Sequence, residues 1–167
     1  MKKIDPILVI IIVIILVIIG GVILAFNSSS GSNISERNYQ KTDINRPKLE
    51  ISETSSDFGK MSVKDIKSKE IKIKNNGSES LVMKNFSSSC NCTFIQLKTE
   101  KDTSPKFSMH SNASWKGELP ANSEAIIIVT YQPSLMPVQG EISRSAYFKT
   151  NDPENPNINI KLTAIIE

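Results

Sequence analysis

Cys90 and Cys92 are the chain's only thiols and stand one residue apart. In extended backbone, side chains at i and i+2 fall on one face. Soft thiolates at that spacing suit Cu(I) or Zn(II), and the single histidine, His110, follows Met109, so these four residues form a sulfur and imidazole set fit for copper or zinc. The set closes only if the stretch carrying Met109 and His110 folds back over the turn that carries the cysteines. Two other readings of the pair stand beside it. One cysteine packs as a small apolar residue while the other caps the turn, or the two close a bridge, which at this separation needs distorted geometry. Copper or zinc is the one cofactor these residues suggest, and nothing firmly requires it.

Trp115, the only tryptophan, and Phe107 are candidate anchors for a protein partner, because aromatic side chains dominate binding hot spots. The plainer reading of Trp115 is a cover over the end of a core. Catalysis is not expected. One histidine leaves little choice of acid and base, and no G-x-S-x-G elbow, phosphate loop or H-E-x-x-H motif occurs.

The elements that must position these residues read as strands. Leu49 and Ile51 alternate with polar neighbours; Ile66 to Lys74 places Ile71 and Ile73 on one face and Glu70, Lys72 and Lys74 on the other. Asn76-Gly77 between two alternating runs predicts a tight hairpin into Ser80 to Phe86. Further strands are expected near Thr93 to Leu97, at Glu124 to Tyr131, at Ile142 to Lys149 and at Ile158 to Ile166, the last with apolar residues at period two. Lys98 to Leu119 shows no clear period, and an irregular stretch of that length inside a domain is often functional. Short strands separated by turns, with no amphipathic helix, describe an all-β fold: an immunoglobulin-like antiparallel β-sandwich of about seven or eight strands, a small barrel being the alternative.

Ahead of this domain, Ile7 to Phe26 holds no charged or polar side chain. About 20 such residues at about 1.5 Å each match the hydrocarbon thickness of a bilayer, so residues 7–26 are expected to form one transmembrane helix. A signal peptide has a shorter apolar core and a small-residue cleavage site. Lys2 and Lys3 hold residues 1–6 in the cytoplasm by the positive-inside rule, which makes this a single-pass protein of the cell membrane with its C-terminal domain outside. Residues 27–46 are polar, from the tract NSSSGSN onward, and read as a flexible linker; residues 47–167 are the sandwich. The expected partners are membrane lipid around the anchor and a protein of the cell envelope, met through strand edges or the 98–119 insertion. The 20 basic and 17 acidic residues are interspersed, which argues against nucleic acid.

Several motifs occur together: Asp57-Phe58-Gly59, Asn76-Gly77, Ser89-Cys90-Asn91-Cys92-Thr93, Pro120-Ala121-Asn122-Ser123, Gly140 and Thr150-Asn151-Asp152-Pro153. Over Leu49 to Ile166 the chain resembles the bacterial domain of unknown function 1573 family. The resemblance implies a sandwich of the abnormal-spindle and major-sperm-protein type, carried by extracytoplasmic and often anchored proteins, and implies no catalytic activity. That family usually has Gly where this chain has Asn91 and Asn122. Asn tolerates left-handed backbone best among the other residues, so both turns are expected to survive.

Overall fold

The computed structural model describes Ile15, residues 37–111 and residues 114–167. The anticipated span at residues 7–26 lies outside the described residues apart from Ile15, as do residues 1–6 and 27–36. Among the described residues, no helix is long and apolar enough to cross a membrane.

The described residues form nine strands: β1 Leu49–Ile51, β2 Ser55–Met61, β3 Lys67–Asn75, β4 Leu81–Ser88, β5 Thr93–Lys98, β6 Lys116–Leu119, β7 Glu124–Tyr131, β8 Gly140–Thr150 and β9 Asn157–Ile166. They make two sheets, one ordered β1-β3-β7-β5 and the other β2-β9-β8-β4-β6. The all-β sandwich is as expected, with more strands than the seven or eight anticipated. Period-two patterning explains the layers. Ile71 and Ile73 of β3, Ile127 and Val129 of β7 and Ile160 and Leu162 of β9 are buried, while Lys72, Glu70 and Lys161 between them face water. Each such aliphatic side chain contributes about 1.5–3 kcal/mol by leaving water.

One pairing departs from the antiparallel expectation: β2 runs parallel to β9, with Ser55 opposite Lys161 and Met61 opposite Ile166. The cause is a change of sheet. β1 pairs antiparallel with β3, the Ser52 N–H donates to the Lys72 carbonyl, and the Lys161 N–H then donates to the Thr54 carbonyl. The chain thus crosses from one layer to the other while keeping its direction, so its second half lies parallel to the last strand. Gly59, at φ +63°, sits in the register shift between Asp57 and Lys60 and supplies the backbone that this bulge needs.

The hairpin anticipated at Asn76-Gly77 is absent. β3 and β4 belong to different sheets, and neither Asn76 nor Gly77 has positive φ. Gly77 is there for space: a Cβ on it would stand 2.2 Å from the Arg46 carbonyl oxygen and 2.6 Å from the Lys48 nitrogen.

The free edges of the sheets are largely occupied. On β1, Leu49 N–H donates to the Asp152 carboxylate and its carbonyl accepts from Asn155. The segment after β5 turns back along it, with Ile95 opposite Phe107 and Lys98 opposite Thr103. On β2 the Lys67 ammonium donates to the carbonyls of Phe58, at 2.7 Å, and Lys60, at 3.0 Å. β6, four residues long, ends at Pro120. Occupied, lysine-guarded or very short edges are the usual protection against strand addition.

Candidate functional site

The first candidate lies at the end of the sandwich where β5 begins. Cys90 and Cys92 form a disulfide with Cα atoms 5.2 Å apart, so of the three readings of the pair the bridge is the one present. It is buried, with Cys90 4% and Cys92 0% exposed. The turn around it is held by Ser88, whose hydroxyl oxygen stands 2.7 Å from the carbonyls of both Cys90 and Thr93, with its one proton to donate to either. The Gln132 N–H donates to the Cys92 carbonyl, joining this turn to the loop after β7. Asn122 adopts φ +58°, as its place in the turn before β7 anticipates, whereas Asn91 is not among the residues with positive φ.

Met109 and His110 are exposed in a turn following the strap along β5. Extending the register from Ile95 opposite Phe107 brings that turn level with Thr93, at the disulfide's end of the sheet. The two cysteines are joined to each other, however, and disulfide sulfur is not a thiolate ligand. A copper or zinc set of Cys90, Cys92, Met109 and His110 therefore requires prior reduction of the bridge. Among the described residues no group of three or more His, Cys, Asp or Glu could hold a metal ion.

The two aromatic candidates belong to the core. Phe107 is 4% exposed and stacks on Phe86, ring centroids 5.3 Å apart. Trp115 is half-buried, edge-on to Phe86 at 5.4 Å and tilted against Phe107 at 5.1 Å. Phe86 also stacks on Phe148 at 5.3 Å. The 98–119 insertion thus closes the side of the sandwich between β5 and β6 with its aromatic residues, and Phe107 has little surface left for a partner.

At the opposite end, a polar cluster that no sequence motif announced as a site fixes the entry of the chain. Arg46 and Asp152 are buried and paired at 3.3 Å, and Arg46 reaches Glu154 at 2.7 Å. The Asp152 carboxylate also accepts from the N–H of Leu49 and Glu154 and from the Asn155 amide. Asn75, fully buried, accepts from the N–H of Lys48 and Gly77 and donates to the carbonyls of Glu79, Leu119 and Pro120. The linker expected to run to residue 46 is therefore fastened to the sandwich before it ends. Tyr39, also in that segment, donates to Glu79 at 3.4 Å, and its hydroxyl pKa is raised by burial and by the Glu79 charge. The Thr150-Asn151-Asp152-Pro153 motif was a signal for this cluster; the buried partner of Asp152 was not legible.

An open groove of about 610 Å³ also lies at this end, with Glu100, Glu118 and Glu124 on its walls. Glu124 is committed to Lys74 at 3.7 Å.

Comparison with known proteins supports the fold. The chain is similar to a crystal structure of a protein of unknown function from Porphyromonas gingivalis W83, at 17% identity and TM-score 0.53, over 73% of this chain and 48% of that one. This chain thus spans about half of that relative's length. It is also similar to the ASH / PapD-like domain 7 of human CEP192, at 14% identity and TM-score 0.50, over 80% of this chain and 95% of that domain. A part of a family 123 glycoside hydrolase from Clostridium perfringens shares the fold at 12% identity and TM-score 0.52, over 73% of this chain and 27% of the enzyme. No curated protein matches in sequence. The architecture is that of an immunoglobulin-like, PapD-like sandwich, and over residues 49–110, which include both cysteines, the chain matches the family described as "Protein of unknown function (DUF1573)".

Proposed function

We propose that this chain is a non-catalytic binding or scaffolding module, held outside a cell membrane by its apolar N-terminal segment. The observation that carries the location is the buried Cys90–Cys92 disulfide. Such bonds form and persist in oxidising compartments and are rare in reducing cytosol. The charge-free run from Ile7 to Phe26, preceded by Lys2 and Lys3, agrees with an anchor that exports the C-terminal domain. The motifs beyond residue 110, from Pro120 to Pro153, extend the family resemblance through the rest of the sandwich.

For the binding role, the support is a rigid double sheet whose loops offer surface while its edges do not. Recognition by loops fits this frame better than strand addition. The chain reaches its partner as one membrane-tethered domain.

The test is topological. Intact cells expressing the full chain are treated with protease, and the C-terminal fragment is followed by immunoblot. Loss of the sandwich from intact cells is expected. A sandwich protected until the membrane is permeabilised overturns the location.

A further inference from the structure

Among the described residues two buried side-chain polar atoms lack a hydrogen-bond partner, the Tyr131 hydroxyl and the Arg144 Nε. Strand register brings both residues beside the bridge. Tyr131 lies opposite Thr93, the residue after Cys92, and is fully buried on the core side of β7. Arg144 lies opposite the buried Leu162, so it too starts from the core side of its sheet, between Ile142 and Ala146. Ser88 pairs with Ala146, and the Ser89 N–H donates to the Ser145 carbonyl. One step further along, Cys90 comes level with Arg144.

An arginine on a core face is costly without a counter-charge. Its guanidinium reaches the carbonyl of its own neighbour Ser143, at 3.3 Å, and pairs with no carboxylate among the described residues. Thr93 adds another donor, its hydroxyl standing 3.3 Å from Cys90 Sγ. A neutral disulfide is a weak acceptor for such a set; a thiolate on Cys90 is a strong one. No competing charge faces it. Residues 88–97 and 132–139 contain no Asp, Glu, Lys or Arg, β9 turns apolar residues to the core, and Glu141 alternates to the outer face of β8, opposite Ile165. His110 is exposed on the strap.

As a staple the bridge does little, because it joins residues two apart and loop-entropy stabilisation falls with loop length. The turn also has fastenings of its own, from the Thr93 N–H to the Cys90 carbonyl and from the Gln132 N–H to the Cys92 carbonyl.

We propose that Cys90–Cys92 is a thiol–disulfide exchange site, opened by a donor of two thiols, with Arg144 and Thr93 holding the Cys90 thiolate that forms. One donor thiolate attacks Cys92 Sγ; the S–S bond breaks and its electron pair stays on Cys90. The second donor thiolate attacks the mixed disulfide, forming the donor disulfide and releasing Cys92, which takes up a proton. The donor loses two electrons and two protons, of which one proton goes to Cys92 and the other to solvent. Cys92 is closed to solvent, so attack waits on opening of the turn at the exposed Asn91. That barrier sets the rate and leaves the equilibrium unchanged. A stabilised reduced form makes the bridge a readier electron acceptor than a structural disulfide. The inference goes beyond the proposed binding role and does not depend on the membrane topology.

The test equilibrates the purified full chain, in detergent and chelator, with graded mixtures of reduced and oxidised glutathione at neutral pH. Free thiols are trapped by alkylation and counted by mass. Arg144→Gln should lower the equilibrium constant for reducing the bridge about tenfold or more, as loss of a hydrogen bond to a charged group does, and Arg144→Lys should recover most of it. Loss of a merely structural contact weakens the oxidised and reduced forms alike and leaves that constant unmoved. Thr93→Val should act in the same direction as Arg144→Gln, and circular dichroism of each variant separates a shifted equilibrium from a lost fold. A bridge that stays oxidised in the folded wild type at every ratio, or one reduced equally in wild type, Arg144→Gln and Thr93→Val, overturns the inference.

Discussion

The two ends of the sandwich are built on opposite principles. At the entry end, Arg46, Asn75 and Asp152 are buried, and their polar atoms are matched to partners across four chain segments. At the disulfide end, Ile66, Leu135 and Met136 stand in water, and the buried Tyr131 hydroxyl finds no hydrogen-bond partner among the described residues. One end commits its polar groups to fixing the chain; the other leaves apolar surface uncovered. Fully satisfied buried networks make a fold unique, and exposed apolar patches mark contact surfaces. The contrast predicts that mutations divide by end: stability is lost at the entry and kept at the disulfide end.

The largest effect is expected from Asp152→Ala. It leaves the buried Arg46 guanidinium with Glu154 alone and removes the acceptor of the Leu49 and Glu154 N–H groups and the Asn155 amide, so urea denaturation should show a loss of about 3–5 kcal/mol. A loss below about 1 kcal/mol breaks the comparison. Next comes Gly77→Ala, whose new Cβ meets backbone rather than a flexible side chain. Overpacking of that kind costs about 1–3 kcal/mol, and a separation of the 46–48 segment should appear as faster amide exchange at Lys48.

The double variant Cys90→Ala/Cys92→Ala is expected to cost less. Closing a loop this short removes little disorder from the unfolded chain, about 1–2 kcal/mol in the loop-entropy account. The bridge also bears on the question of metal. Cu(I) or Zn(II) titrated into the oxidised wild type should bind only after reduction of the bridge, and stoichiometric binding to the oxidised protein overturns that expectation. Smallest is Leu135→Ser, which should leave the denaturation midpoint within about 0.5 kcal/mol, as for other surface substitutions. A large loss there identifies Leu135 as structural.

Much of this architecture was legible in the chain. The β-branched run from Glu124 to Tyr131 is strand β7 at both boundaries, because period and flanking prolines agree there. The misreadings share a cause: each concerned a contact between distant segments. Asn76-Gly77 has the composition of a tight turn, yet the segment 46–48 crosses it so closely that Gly is needed for room. The pattern of β1 and β2 shows strands but not the step between sheets that makes one pairing parallel. Arg46 looked like the last residue of a solvated linker, since nothing local reveals that a carboxylate 106 positions away will bury it. Trp115 takes the place its plainer reading gave it, against the core, while the burial of Phe107, scattered in an aperiodic stretch, depended on the distant Phe86. The cysteine spacing allowed a bridge, a ligand pair or packing, and local sequence alone does not choose among them.

For the membrane-tethered domain proposed above, the guarded sheet edges have a further consequence. Confinement to two dimensions raises the local concentration of neighbours. Unprotected strands at such density would zip laterally into ribbons. With Lys67 seated on the β2 carbonyls and the strap lying along β5, copies tethered in the proposed way would stay separate even when crowded.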